Sequence, residues 1–217
     1  MNYPGLIGFT NRKRLVFCLL FSAFIYFPTT GQNIVEGYWG VKGGLNLHKI
    51  SKIEFDNSMK PGFHLGIFAN FQLSDQFSIQ HEVLYSLRGV SLNVPVVGKY
   101  VQSFSFLDLP WMLNYHVSPN FFVSAGVQPS LYTYFKSPKA DTIVYNKDNV
   151  NTVDFGYLLG ASFISQNNFG FGVRFNGSIV PAFDLESNGK NYVLQVFVSY
   201  SVNKRKSGGK ARRARKR

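Results

Sequence analysis

Residues 77–88 read FSIQHEVLYSLR, and this stretch predicts the fold because apolar side chains alternate with polar or charged ones. One face of the expected strand carries Phe77, Ile79, His81, Val83, Tyr85 and Leu87, and the other carries Ser78, Gln80, Glu82, Leu84, Ser86 and Arg88. A period of two residues is typical of a β-strand whose faces meet different surroundings. Its length exceeds the roughly 9–11 residues that a tilted strand needs to cross a bilayer.

Seven further segments alternate in the same way. With the first they are 38–47, 63–72, 77–88, 107–116, 121–131, 155–163, 169–175 and 192–200. The connections 73–76, 118–120 and 164–168 are short, whereas 48–61, 89–103, 135–153 and 178–190 are long and polar. Short periplasmic turns and long external loops are typical of outer-membrane barrels. We therefore expect an all-β fold, an eight-stranded antiparallel transmembrane up-and-down β-barrel over residues 32–203.

Two features indicate that the apolar face points outward to lipid. The polar face is rich in glycine, which suits the narrow interior of an eight-stranded barrel. An aromatic residue ends the apolar face of every strand at the predicted periplasmic side: Trp39, Phe71, Phe77, Tyr115, Phe121, Phe163, Phe169 and Tyr200. Such rings are typical of an interfacial girdle. The alternative is a soluble barrel in which these aromatic side chains form the core.

The N-terminal segment 1–31 has the outline of a cleaved signal peptide. Arg12, Lys13 and Arg14 precede residues 15–27, which are apolar except for Ser22. As a helix this run rises only about 20 Å, short of a bilayer core of roughly 30 Å, so a permanent anchor is the weaker alternative. The chain is thus expected to be exported to the outer membrane of a Gram-negative bacterium.

The net charge of +12 is concentrated at the two ends of the chain. Of 23 basic residues, three lie in the leader and nine in 204–217, which leaves 11 in between, equal to the 11 acidic residues there. This balance argues against nucleic acid as a partner. The segment 204–217 contains Gly208 and Gly209 and few apolar residues, so we expect a basic disordered tail. Two alternatives remain for this tail. It is surrounded only by water, or it binds an anionic surface such as lipid headgroups or cell-wall polymer by electrostatic attraction.

Four stretches resemble the PorT-like family of outer-membrane β-barrel proteins. They are GVKGGLN at 40–46, PGFHLG at 61–66, EVLYSLRG at 82–89 and FLDLPWMLNY at 106–115. The last is similar to that family's Tyr-Leu-Glu-Ile-Pro-Leu-Leu-Leu-Lys-Tyr stretch, with Asp108 in place of Glu. The resemblance implies an outer-membrane barrel in contact with lipid and says little about activity. The basic tail departs from the family pattern, in which the chain ends soon after the last strand.

Charged residues on the inward face predict a polar network in the lumen. Its expected members are Lys42, Glu82, Arg88, Asp108 and Arg174. A buried charge needs a partner, so we expect ion pairs across the lumen and specifically a pair between Glu82 and Lys42 or Arg174. A structural plug is the first interpretation, and a polar track for protons or ions is the alternative.

No catalytic, cofactor or metal site is predicted. His81 lies on the apolar face, as the catalytic His of a lipid-modifying barrel would, but its predicted neighbours include neither Ser nor a carboxylate. The four histidines lack metal-ligand spacing. The preferred function is a structural or interaction barrel acting through its external loops and not an open pore, followed by an accessory of secretion or transport and then by a lipid-modifying enzyme. The sequence identifies no protein partner.

Overall fold

A computed structural model describes residues 37–51, 57–94, 98–136, 153–179 and 190–202, and these form one antiparallel sheet. Its strands are β1 (Gly37–Ile50), β2 (Asn57–Gln72), β3 (Phe77–Val94), β4 (Gly98–Asp108), β5 (Trp111–His116), β6 (Phe121–Lys136), β7 (Val153–Ile164), β8 (Phe169–Ser178) and β9 (Asn191–Ser201). The predicted signal peptide, 1–31, and basic tail, 204–217, lie outside the described residues. No helix in the described part of the chain is long and apolar enough to span a bilayer.

The sheet closes on itself because β1 pairs with β2 on one side and with β9 on the other. Strands β4 and β5 follow each other in one strand position, since both pair with β3 and both pair with β6. The nine segments therefore occupy eight positions. The predicted fold, a closed eight-stranded antiparallel barrel, is confirmed.

The break between β4 and β5 falls at Leu109 and Pro110, within the predicted strand 107–116. Proline has no backbone N–H, so it cannot donate to a neighbouring strand. The wall is held across the break by two hydrogen bonds, from the Leu109 amide to the Pro129 carbonyl at 2.9 Å and from the Glu82 amide to the Pro110 carbonyl at 3.0 Å. Pro129 itself stays inside β6, opposite Phe155.

Several strands extend further than the alternation indicated. The prediction of a long loop over 89–103 is wrong, because β3 continues to Val94 and pairs there with Gly98 at the start of β4. Similarly, β2 begins at Asn57 within the predicted loop 48–61, and β6 runs on to Lys136. Strand pairing extends beyond the alternating pattern because the hydrogen bonds between strands join backbone groups, whatever the side chains are.

The two ends of the barrel differ. The end that carries the short turns 73–76, 117–120 and 165–168, together with Gly37 and Ser201, is called the turn end here. Asn168 has a φ of 67° in one of these turns, a left-handed conformation that asparagine tolerates better than most residues. The opposite end is called the loop end.

Alternation places one set of side chains in the lumen and the other outside. On β9, Gln195 is 0 % exposed, whereas its neighbour Val196 is 53 % exposed. The inner face is not restricted to small residues, as the glycine argument implied, because Phe68, Phe122 and Phe197 also point inward and are buried. Glycine instead makes room for these rings: a Cβ on Gly40 would lie 2.9 Å from the Phe68 ring, and one on Gly172 would meet the Phe197 ring.

Candidate functional site

The centre of the lumen contains a charged triad from three separated strands, Lys42 on β1, Glu82 on β3 and Arg174 on β8. Arg174 donates from Nη1 to Oε2 of Glu82 and from Nη2 to Oε1, each at 2.8 Å. Lys42 donates from Nζ to Oε1 of the same carboxylate, and Gln80 donates to that oxygen at 2.6 Å. The two partners proposed for Glu82 are thus both in contact with it, and the triad connects opposite walls of the barrel.

An aromatic ring lies against both cations of the triad. Phe197 on β9 has its ring centroid 4.0 Å from Nζ of Lys42 and 5.4 Å from Cζ of Arg174. A cation near the face of an aromatic ring is stabilised by the ring quadrupole, more strongly where water is excluded. Phe197 therefore compensates part of the cost of burying two cations beside one carboxylate.

A second charged cluster lies nearer the loop end. Arg88 Nη2 donates to both carboxylate oxygens of Asp108, at 2.5 and 2.6 Å, and Ser86 donates to the same carboxylate at 2.5 Å. Arg88 Nη1 lies 4.0 Å from an oxygen of Asp154 on β7. The guanidinium also lies over the Phe106 ring, 4.5 Å from its centroid. The two carboxylates approach Arg88 from different walls.

Asp154 is absent from the predicted lumen network because the predicted strand begins one residue later, at Phe155. Asp154 accepts hydrogen bonds from Ser178 and, at 3.0 Å, from Asn191. Asn191 in turn contacts Nε2 of His48 at 3.1 Å, and Nδ1 of His48 lies 2.8 Å from the Gly89 carbonyl. The available signal was alternation itself, since the residue before an outward Phe155 has to point inward.

A group of hydrogen-bonded neutral side chains lies along the strands between the triad and this second cluster. Asn46 accepts from His64 Nδ1 at 2.8 Å and from Gln195 at 3.0 Å. Gln195 accepts from Asn176 at 3.1 Å. With Asp154 included, the buried lumen charges are three cations and three anions: Lys42, Arg88, Arg174, Glu82, Asp108 and Asp154. These six buried charges therefore sum to zero and are held in place by ion pairs.

At the turn end, part of the lumen is filled by apolar side chains. Tyr38, Phe68, Phe122 and Ile164 form a buried cluster, in which the Tyr38 and Phe68 rings meet edge to face at 6.1 Å. Tyr38, Phe68 and Phe122 lie in predicted strands, on inward faces where small side chains were expected. Beside this cluster, a chain of buried hydrogen bonds leads from Gln80, which contacts Glu82, through Asn70 and Ser78 to His116 at the turn end.

All eight residues of the predicted aromatic girdle lie outside the barrel at the turn end. Each is partly exposed, from 38 % for Phe121 to 52 % for Phe169. Neighbouring members pair across strands, with ring centroids 5.1 Å apart for Phe169 and Tyr200 and 5.3 Å apart for Phe77 and Tyr115. The rings form a belt at one level of the outer wall, where the girdle was expected.

His81 lies on the outer face of β3, as expected from alternation. Its ring meets Trp111 edge to face at 5.5 Å and lies 6.4 Å from Phe71. It is thus part of an aromatic surface. Among the described residues, no three His, Cys, Asp or Glu side chains come together as ligands for a metal ion.

Comparison with known proteins agrees with this architecture. Residues 36–184 match the family described as "Outer membrane protein beta-barrel domain". A search of the curated proteins found no match.

Among solved structures, Neisserial surface protein A is 14 % identical with a TM-score of 0.50, and the match covers 75 % of this chain and 96 % of that one. OprG from Pseudomonas aeruginosa is 13 % identical with a TM-score of 0.46 over 78 % and 97 % of the two chains. Ail of Yersinia pestis is 12 % identical with a TM-score of 0.46 over 76 % and 99 %.

The likeness to solved structures concerns the fold alone, whereas the family match covers more than half of the chain. Together with the closed barrel and its apolar outer wall, that match establishes the outer membrane as the location. The chain belongs to the outer membrane protein beta-barrel domain family.

Proposed function

We propose that this protein is a non-conducting outer-membrane barrel that works as a structural or interaction scaffold through its external segments. The proposal includes export by the signal peptide predicted at 1–31. It also includes membership of the PorT-like group, which the sequence resembles. The observation that supports a closed barrel is Glu82, which accepts hydrogen bonds from Lys42 on β1 and Arg174 on β8. This contact occupies the lumen at its centre.

The balance of charges supports a plug over an ion track. Glu82, Asp108 and Arg174 are all at most 3 % exposed. Removing one partner from a buried ion pair costs about 3–5 kcal/mol, so an ion that displaced a member of the network would have to overcome a similar penalty. An eight-stranded barrel is also only wide enough to hold its own side chains.

A closed lumen leaves the external segments as the part that meets other molecules. Loops on a rigid scaffold commonly carry binding residues, because the scaffold holds their ends at fixed positions. The segments in question, 137–152 and 180–189, join β6 to β7 and β8 to β9 at the loop end.

Conductance measurements test the closed lumen. We expect the purified full-length protein to give no stable conductance steps in a planar lipid bilayer, with a sixteen-stranded porin as positive control. The reconstituted protein should be shown to be folded by its faster migration in unheated gels. Stable channels from the folded wild-type protein would contradict the proposal.

Surface labelling tests the external segments. Asp148→Cys and Asp75→Cys place thiols at the loop end and the turn end of a chain whose only cysteine, Cys18, lies in the leader. A membrane-impermeant maleimide should label the 148 variant on intact cells and the 75 variant only after lysis. Labelling of the 75 variant alone on intact cells would place the long segments in the periplasm and refute this part of the proposal.

A further inference from the structure

Two neighbouring strands end their outward apolar rows on a lysine at the loop end. From the turn end, the outward residues of β1 are Trp39, Val41, Gly43, Leu45, Leu47 and Lys49, and those of β9 and the residue before it are Tyr200, Val198, Val196, Leu194, Tyr192 and Lys190. The lysines and all the apolar side chains except Tyr192 are exposed. Each row thus starts at the aromatic girdle and ends at a cation.

The length of these rows matches the thickness of a membrane. Ten residues separate Trp39 from Lys49 and Tyr200 from Lys190, which corresponds to about 33 Å along a strand at roughly 3.3 Å per residue. With a strand tilt of about 40°, the rise along the membrane normal is about 25 Å, the height of the apolar band of outer-membrane barrels. When the girdle lies at the inner interface, both lysines lie at the outer one.

The two lysines are close to each other. Lys49 is opposite Tyr192 in the ladder, and the backbones of Ser51 and Lys190 are joined by a hydrogen bond of 2.9 Å. Lys49 and Lys190 are therefore diagonal neighbours on one face, a relationship that puts Cβ atoms roughly 7–8 Å apart. One phosphate group is small enough to contact two ammonium groups at this separation.

Within the described part of the chain, neither lysine forms an ion pair with an acidic side chain. Glu82, Asp108 and Asp154 are inside the lumen, and Asp75 is in a turn at the opposite end. Among the described residues, the outer surface at this point is therefore positive, and its counter-charge has to come from outside them.

Tyr192 lies opposite Lys49 and is the next outward residue from Lys190 toward the membrane. Its ring is stacked on Phe175 of β8, with centroids 6.0 Å apart, and Phe175 also contacts Tyr157 of β7 at 6.2 Å. Tyrosine favours the headgroup level of a bilayer because its ring is apolar and its hydroxyl is polar. Cations above an aromatic surface suit a molecule that has an anionic head and an apolar body.

We propose that Lys49 and Lys190, with Tyr192 beside them, bind a phosphate group of an outer-leaflet lipid. The lipid is preferred to free phosphate because the lysines lie at the end of two apolar rows, at the level where lipid phosphates concentrate. This site is distinct from the plug and the external loops, and it rests on the proposed orientation, in which the loop end of the barrel faces outward. It provides a fixed lipid contact at the β1–β9 seam.

Native mass spectrometry of the full-length protein in detergent tests the site. The probes are diphosphoryl lipid A, the same glycolipid without phosphates, and inorganic phosphate. Each lysine should contribute about a five-fold change in affinity, so Lys49→Gln/Lys190→Gln should weaken binding of the phosphorylated lipid by about 30-fold. Lys49→Arg/Lys190→Arg should retain the binding, since the charges remain.

A charge-matched control removes two cations from the predicted basic tail. Lys204→Gln/Lys206→Gln changes the net charge equally and should leave this affinity within two-fold of wild type. Because all the substituted positions are exposed or beyond the strands, each variant should still migrate as a compact species in unheated gels.

Three results would overturn the proposal. The first is equal affinity of the wild type and the Lys49→Gln/Lys190→Gln variant for the phosphorylated lipid. The second is equal affinity of the wild type for the lipid with and without phosphates. The third is binding of inorganic phosphate as tight as that of the lipid and equally dependent on Lys49 and Lys190, which would assign the site to free phosphate.

Discussion

Arg174 and Glu82 face each other across the lumen in a bidentate ion pair, with both nitrogen–oxygen distances at 2.8 Å. They lie 92 residues apart in the sequence and on strands that are not neighbours in the barrel. Paired guanidinium and carboxylate groups of this geometry make strong, directional hydrogen bonds. The pair therefore fixes the separation of the β3 and β8 walls.

Replacing Glu82 by alanine should destabilise the barrel. Lys42 and Arg174 would remain buried without their acceptor, and breaking a buried ion pair in this way costs about 3–5 kcal/mol. The measurement is the temperature at which the compact species of unheated gels is lost. Asp75→Ala, at an exposed turn position, is the control and should change stability by less than about 0.5 kcal/mol. An unchanged transition for Glu82→Ala would refute the pairing account.

A methyl group at position 172 should conflict with the ring that lies over the triad. The Cβ of Gly172→Ala would lie 2.7 Å from Cε2 of Phe197, and overpacking of this kind costs about 1–3 kcal/mol. Gly43→Ala is the matched control, since its nearest contact is the flexible end of Leu65 at 3.3 Å. Adding Phe197→Leu should recover part of the loss at position 172. Additive effects of the two substitutions would show that the ring and the glycine are not coupled.

The two tryptophans should report two membrane depths. Trp39 belongs to the girdle, whereas Trp111 lies four residues from girdle residue Tyr115, about 10 Å deeper along the membrane normal. In Trp111→Phe, the remaining Trp39 should be quenched most by lipids brominated near the headgroup. In Trp39→Phe, the remaining Trp111 should be quenched most by bromine near the chain ends. The same depth for both would contradict the placement of the girdle.

The basic tail should bind anionic membranes by electrostatics alone. A synthetic peptide of residues 204–217, which contains nine Lys or Arg, should bind vesicles with anionic lipid at low salt and dissociate as salt screens the charges. Co-sedimentation with vesicles measures this, and neutral vesicles are the control. Binding that is equally strong at low and high salt would rule out the electrostatic mechanism.

Alternation in the sequence was sufficient to predict the barrel and which face of each strand points outward. The outward girdle positions, for example Trp39 and Tyr200, follow from it because every second side chain has to point to the same face. It also identified Glu82 as an inward charge that needs a cationic partner. The wrong loop over 89–103 shows the limit, because backbone pairing of β3 with β4 continues where the side-chain pattern does not.

Contacts across the lumen could not be read from the sequence in the same way. Which inward side chains meet depends on the stagger of all eight strand positions at closure, and no single strand contains that information. The approach of Arg88 to both Asp108 and Asp154 is one example. The insertion of Phe197 between β1 and β8 is another, because only the closed barrel shows that the glycines opposite it leave space for a ring.

The seam between β1 and β9 has a consequence for how the protein is made. A hydrogen bond on the lumen side of this seam joins Gln195 to Asn46, 149 residues earlier, so the interior is complete only when the last described strand has docked on the first. Until then, an inserted sheet would present the charges of Lys42 and Arg174 to hydrocarbon, which strongly disfavours partly inserted forms. Insertion of this barrel is therefore expected to be coupled to closure of the seam between β1 and β9.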